Sequence, residues 1–159
     1  MKYTTRMAIV LTVALTATAT AQSRPDFSGV WRRINAPATA VTFPGQPAFP
    51  THISTTIVQS ATRMTVEYKS VQEGREQVLT YDYKLDGSES VNKIAGALHR
   101  TTATWQDDAL VLTSTVAMDG QSDWRVTDIY RLEKGNLVIE NTTVNFRGTF
   151  SAKRVHEKH

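Results

Sequence analysis

Hydrophobic and polar positions alternate along most of this chain with a period of two. Met64, Val66 and Tyr68 share one phase, against Arg63, Thr65, Glu67 and Lys69 on the other. Leu79, Tyr81, Tyr83 and Leu85 oppose Val78, Thr80, Asp82 and Lys84 in the same way. Trp124, Val126, Asp128, Tyr130 and Leu132 oppose Arg125, Thr127, Ile129 and Arg131. A period of two places one set of side chains on each face of a strand, one wet and one dry. Turn residues punctuate these runs: Glu73-Gly74, Asp86-Gly87, Asp107-Asp108, Asp119-Gly120, Lys134-Gly135-Asn136 and Arg147-Gly148. Such residues tolerate the positive φ of tight hairpins. The pattern predicts strands over 27–34, 52–59, 62–71, 75–85, 97–105, 109–118, 122–133, 136–145 and 148–155. Short sequential connections favour an all-β, antiparallel up-and-down barrel of 8–10 strands, since closure removes exposed edges.

One connection differs. All five prolines lie between Pro25 and Pro50, and residues 35–51 form a long Pro-rich loop carrying Phe43 and Phe49. Loops of that length in compact domains are commonly functional, and this one is expected to close over the barrel.

The N-terminus has its own logic. Lys2 and Arg6 precede an apolar run, Ala8 to Leu15, which ends at Ala19-Thr20-Ala21. That order is the pattern of a cleavable signal peptide over 1–21, cut between Ala21 and Gln22. The run is far shorter than the ~20 residues a transmembrane helix needs. The expectation is a secreted or periplasmic protein, with residues 22–159 as one barrel domain and no integral membrane span after cleavage.

Export changes how the charge is read. The whole chain has 18 Lys+Arg against 15 Asp+Glu, and loss of Lys2 and Arg6 leaves it nearly neutral. No basic cluster remains that could follow a phosphate backbone, so nucleic acid is not an expected partner. There is no cysteine. Disulfides, thiol chemistry and Cys-containing metal sites are therefore excluded.

Asp26-Phe27-Ser28-Gly29-Val30-Trp31 opens the domain. A G-x-W on the first strand of a meander resembles the lipocalin/calycin group, which includes avidin-like and fatty-acid-binding barrels. The stretch 25–155 is similar to small secreted bacterial lipocalin-like proteins with no assigned activity. The further motifs are Tyr83-Lys84-Leu85-Asp86-Gly87 and Thr102-Ala103-Thr104-Trp105 running into Asp108-Ala109-Leu110-Val111. The resemblance implies that Trp31 plugs the closed end and that a basic residue near the last strand covers it. Arg154 is the candidate, and Lys153 the alternative. The later T-D-Y motif and C-terminal helix of true lipocalins are missing.

Candidate chemistry is sparse. His52, His99, His156 and His159 show no metal-ligand spacing, the last two falling near a C-terminus expected to fray. No nucleophile, phosphate-loop or dinucleotide motif occurs, so no catalytic residue, metal or cofactor is assigned. Asn141-Thr142-Thr143 has the form of a glycosylation sequon, expected to be idle.

Polar and aromatic residues on the inward phase do stand out. Tyr68, Tyr81, Tyr83, Trp124, Asp128 and Tyr130, with His99, are the candidate ligand-binding residues. An inward Asp128 costs several kcal/mol (about 2–7) unless paired, so Arg100, Arg125, Arg154 or a ligand should meet it. The expected function is non-enzymatic binding of a small apolar or amphipathic molecule inside the barrel. The alternative is an envelope structural or interaction module with a filled core. A third possibility is an enzyme in which Asp128 converges with Tyr81 or His99. Oligomeric state is not written in these residues.

Overall fold

The computed structural model describes residues 24–34, 51–72, 74–118 and 123–159, apart from the side chains of Thr51, His52 and Ile53. The expected signal segment 1–21, residues 35–50 of the expected loop and the His52 side chain lie outside them.

Ten strands follow one another: β1 (Gly29–Arg33), β2 (Thr51–Gln59), β3 (Arg63–Gln72), β4 (Arg75–Lys84), β5 (Ser90–Ile94), β6 (Ala97–Gln106), β7 (Ala109–Ala117), β8 (Trp124–Glu133), β9 (Asn136–Asn145) and β10 (Gly148–Lys158). All pair antiparallel in the order β4-β3-β2-β1-β10-β9-β8-β7-β6-β5. The chain is thus an all-β meander curled into a nearly closed barrel, as the alternation predicts. Nine of these strands match the expected ones within a few residues. The tenth, β5, does not follow the expected pattern. Its buried positions are Ser90 and Asn92, while Val91 faces out. Its turn to β6 rests on Ala95 at φ 49° beside Gly96, not on an Asn-Gly or Asp-Gly pair.

β1 and β10 close the ring on one side through a short backbone ladder that pairs Trp31 with Lys158. On the other side, β4 and β5 share no ladder. Side chains bridge them instead. The Asp82 N–H donates to Asn92 Oδ1 (2.9 Å), Asn92 Nδ2 donates to the Asp82 carbonyl (3.0 Å), and the Lys84 N–H donates to Ser90 Oγ (2.7 Å).

An up-and-down order gives the barrel two unlike ends. At one, the residues before β1 fold beneath the strands. Gln59 holds them there, its Oε1 accepting from the Phe27 N–H (3.0 Å) and its Nε2 donating to the Pro25 carbonyl (2.9 Å). Phe27 is thereby driven into the core beside Trp31, Met64, Leu110 and Leu137. Its ring lies parallel to Trp105 at 6.0 Å, and the Trp31 indole donates to the Phe27 carbonyl (2.8 Å). Trp31 is 2% exposed, so it does plug this end.

The cation over Trp31 is not the expected one. Lys158 Nζ sits 5.5 Å from the ring centroid. Neither Arg154 nor Lys153 reaches it, because β10 continues three residues beyond the expected end at 155 and brings Lys158 into register with Trp31. Arg154 is four residues back along that strand, ~13 Å at strand rise. The same extension removes the expected C-terminal fraying at His156, which is 1% exposed with Nδ1 3.4 Å from the Leu137 carbonyl.

Gly29 explains the first letter of the G-x-W. Its φ is 145°, a conformation L side chains rarely adopt, and a Cβ there would fall 2.7 Å from Lys158 Cε. The absent side chain is what lets the lysine stem cross Trp31.

Candidate functional site

Above the Trp31 end the barrel stays hollow. A cavity of about 410 Å³ is lined by Arg33, Tyr68, Ser70, Leu79, Tyr81, Tyr83, His99, Ser114, Val126, Asp128, Asn141 and Arg154. Its volume falls within the ~300–1,000 Å³ of small-molecule sites. Eight of the ten strands contribute, β2 and β5 being the exceptions, with Arg33 coming from β1 and Ser70 from β3. β3 supplies Tyr68, β4 the Leu79-Tyr81-Tyr83 series, β6 His99, β7 Ser114, β8 Val126 and Asp128, β9 Asn141 and β10 Arg154.

The charged centre of the cavity is Asp128. Its Oδ1 accepts from Asn141 Nδ2 (2.8 Å) and from Arg154 Nη2 (3.3 Å). Burial pushes the Asp128 carboxyl above the ordinary carboxylate range, and the Asn141 bond and Arg154 charge pull it back. The two side chains keep 19% and 29% exposure, and the surface they keep lies along the cavity they line. Of the three basic candidates, only Arg154 meets Asp128. Arg100 turns outward to Glu89 (2.8 Å), and Arg125 is exposed. Pairing across β9 decides this, since Asp128 opposes Asn141 and Ala152 lies beside Asn141, one inward step from Arg154.

Tyrosines form the adjoining wall. Tyr81 and Tyr83 stack with centroids 6.0 Å apart, while Tyr68 and His99 meet Tyr81 edge-on at 5.8 and 5.4 Å. The Tyr68 and Tyr130 hydroxyls are bonded at 2.7 Å. Desolvation, reinforced by the nearby Asp128 charge, pushes Tyr68 up to about 12, and it also raises Tyr81, Tyr83 and Tyr130. Burial lowers His99. At neutral pH the wall therefore carries neutral phenols and a neutral imidazole, with hydroxyl tips available as donors and acceptors.

Five of the seven candidate residues thus surround one space: Tyr68, Tyr81, Tyr83, His99 and Asp128. Tyr130 does not line it. It is fully buried below, reaching upward through its hydroxyl to Tyr68. Trp124 sits on the same inner phase nearer the open end, and its indole N–H is buried without a partner among the described residues. Asp128 makes its hydrogen bonds to Asn141 and Arg154, not to Tyr81 or His99. The carboxylate–phenol or carboxylate–imidazole convergence an acid–base enzyme needs is not formed among these groups.

Sequence reasoning missed Arg33, Ser70, Ser114 and Asn141 as lining residues. Asn141 had a signal, since it continues the inward series Leu137, Ile139. Its bond to Asp128 also places the sequon asparagine on the inner face of the barrel. Ser114 is tied to the Thr101 hydroxyl (2.8 Å), a wholly buried pair. No group of three metal-ligating side chains comes together among the described residues, and no helix among them is long and apolar enough to cross a membrane.

No protein-family profile matches the sequence, and no curated protein matches it. Among solved structures, the chain is similar to human cRBP IV, with a TM-score of 0.53 and 14% identity over 85% of this chain and 99% of that chain. The likeness is one of fold, an antiparallel β-barrel, and at this identity it reaches no further.

Proposed function

We propose that this protein is an exported barrel that holds a small amphipathic molecule in its interior. The polar group of the ligand lies against Asp128, Asn141 and Arg154, and its apolar body lies along the tyrosine wall toward the open end. The observation that carries this reading is a cavity of about 410 Å³ with a half-buried ion pair lining it. Ten of its twelve lining residues have a polar atom to offer, which favours an amphipathic over a purely apolar occupant. The likeness to a retinol-binding protein barrel supports a small hydrophobic ligand at the level of fold. The cavity counts against the filled-core alternative.

Titration with an anilinonaphthalene sulfonate probe tests the reading. Saturable binding at one site per chain is expected, weakened by Arg154→Met, which removes the cation that would meet the sulfonate. Absence of saturable binding would overturn it. Export is supported by Lys2, Arg6, the apolar run and Ala19-Thr20-Ala21. Intact mass of the protein recovered from a secreting host should place the first residue at Gln22, and recovery with Met1 retained would contradict cleavage.

A further inference from the structure

We infer that the β4–β5 seam is a second passage into the cavity, latched by Asn92 and Ser90, with Tyr83 as the leaf between inside and outside. Its consequence for a ligand rests on the binding reading above; the opening itself does not.

Every other pair of neighbouring strands is joined by a backbone ladder, from three paired positions at β1–β10 to ten at β3–β4. Between β4 and β5 the three side-chain bonds stand in its place. The Asn92 carboxamide gives Asp82 both bonds a facing strand residue would make, and Ser90 Oγ takes the Lys84 N–H. A ladder opens only when strands separate. A side-chain latch opens when two χ angles turn, leaving the β3–β4 and β5–β6 pairings intact. The latch also explains the inverted pattern of β5, whose polar residues point in because they serve as backbone surrogates.

On the outer side of the latch lies a surface hollow of about 260 Å³, lined by the exposed Arg63, Asp82, Lys84 and Val91 and floored by Tyr83, Ser90 and Asn92. Tyr83 lines both this hollow and the main cavity, and it is the one residue they share. At 6% exposure it closes the wall. A rotation of that ring, once Asn92 has let go, joins the two spaces.

The absence of native cysteine makes the test clean. Lys84 and Val91 are exposed on facing strands. A Lys84→Cys/Val91→Cys chain bridged by a flexible bis-maleimide fastens the seam from outside. Bridging is expected to slow both association and release of anilinonaphthalene sulfonate about ten-fold or more at a Kd within about two-fold, while the unbridged chain keeps native rates. Asn92→Ala is expected to speed release several-fold. Unchanged rates on bridging overturn the proposal, because all traffic then uses the open end. A chain that binds no probe refutes the binding reading, and amide exchange then judges the seam alone. The Asp82 and Lys84 amides should exchange about a hundred-fold faster than the ladder amides of Tyr130 and Ile139, and equal protection overturns the passage.

Discussion

Below Tyr83 the barrel interior is packed solid with Phe27, Trp31, Met64, Leu110, Leu137 and Ile139, whereas above it Tyr68, Tyr81, His99 and the Asp128–Arg154 pair surround open space. Both halves are built from the same strands and the same inward phase. They differ in what the inward residues can tolerate. The lower half buries apolar groups that lose nothing on leaving water, so close packing is its best state. The upper half holds a carboxylate, a guanidinium and phenols whose polar atoms must be satisfied, and a collapsed core could not satisfy all of them. The hollow is kept open by polarity, and the plug beneath supplies the stability.

The sharpest way to break this contrast is Trp31→Ala. It removes a fully buried ring from the solid half and should cost about 3–5 kcal/mol, read as a fall in the urea midpoint. Arg154→Met strikes the hollow half. It strands the Asp128 charge and should cost about 1–3 kcal/mol, less than for a fully buried pair because both side chains retain exposure to the cavity.

The same variant has a pH signature. Asp128 is raised in the folded state, so its contribution to stability is fully present below the ordinary carboxylate pKa and is lost as pH rises through the folded value. Removing Arg154 takes away a charge that holds the carboxyl down. The loss of stability with rising pH should therefore extend to higher pH in Arg154→Met. It should vanish in Arg154→Met/Asp128→Asn, as followed by urea midpoints between pH 4 and 8.

Gly29→Ala tests how the plug is sealed. A forced φ and a displaced Lys158 should together cost about 1–2 kcal/mol, and Lys158→Met alone only about 0.5–1. Tyr130→Phe crosses the boundary between the halves by deleting the hydroxyl pair with Tyr68. About 1 kcal/mol is expected, with the absorbance titration of the remaining tyrosines reporting the change at Tyr68. Smallest of all, Arg32→Ala removes an exposed ion pair with Glu157 and should stay within about 0.5 kcal/mol by thermal unfolding.

Much of this was legible in the chain. The period of two assigned an inward face to Tyr68, Tyr81, Tyr83 and Asp128, and that phase placed them on the cavity. A side chain's face depends only on its own strand, so local pattern suffices. β5 shows the limit. Its inward residues are Ser90 and Asn92, which read as surface until β4 is seen opposite them, and its turn uses an alanine in a conformation that alanine seldom takes. Tyr130 and Trp124 share the inward phase but differ in depth, which periodicity does not encode.

The identity of partners was decided by tertiary structure alone. Arg100, Arg125 and Arg154 were equal candidates for Asp128, and Arg154 was the candidate for Trp31 until β10 proved longer and Lys158 took that place. Such choices depend on register between strands more than a hundred residues apart for β1 and β10, and a slip of one residue reverses every face. The sequence by itself determined an antiparallel all-β chain, its inward phase and its lack of thiol chemistry, because each follows from neighbouring residues. The seam, the depth of the cavity and the pairing at its centre belong to the closed barrel, because they exist only once distant strands share one ring.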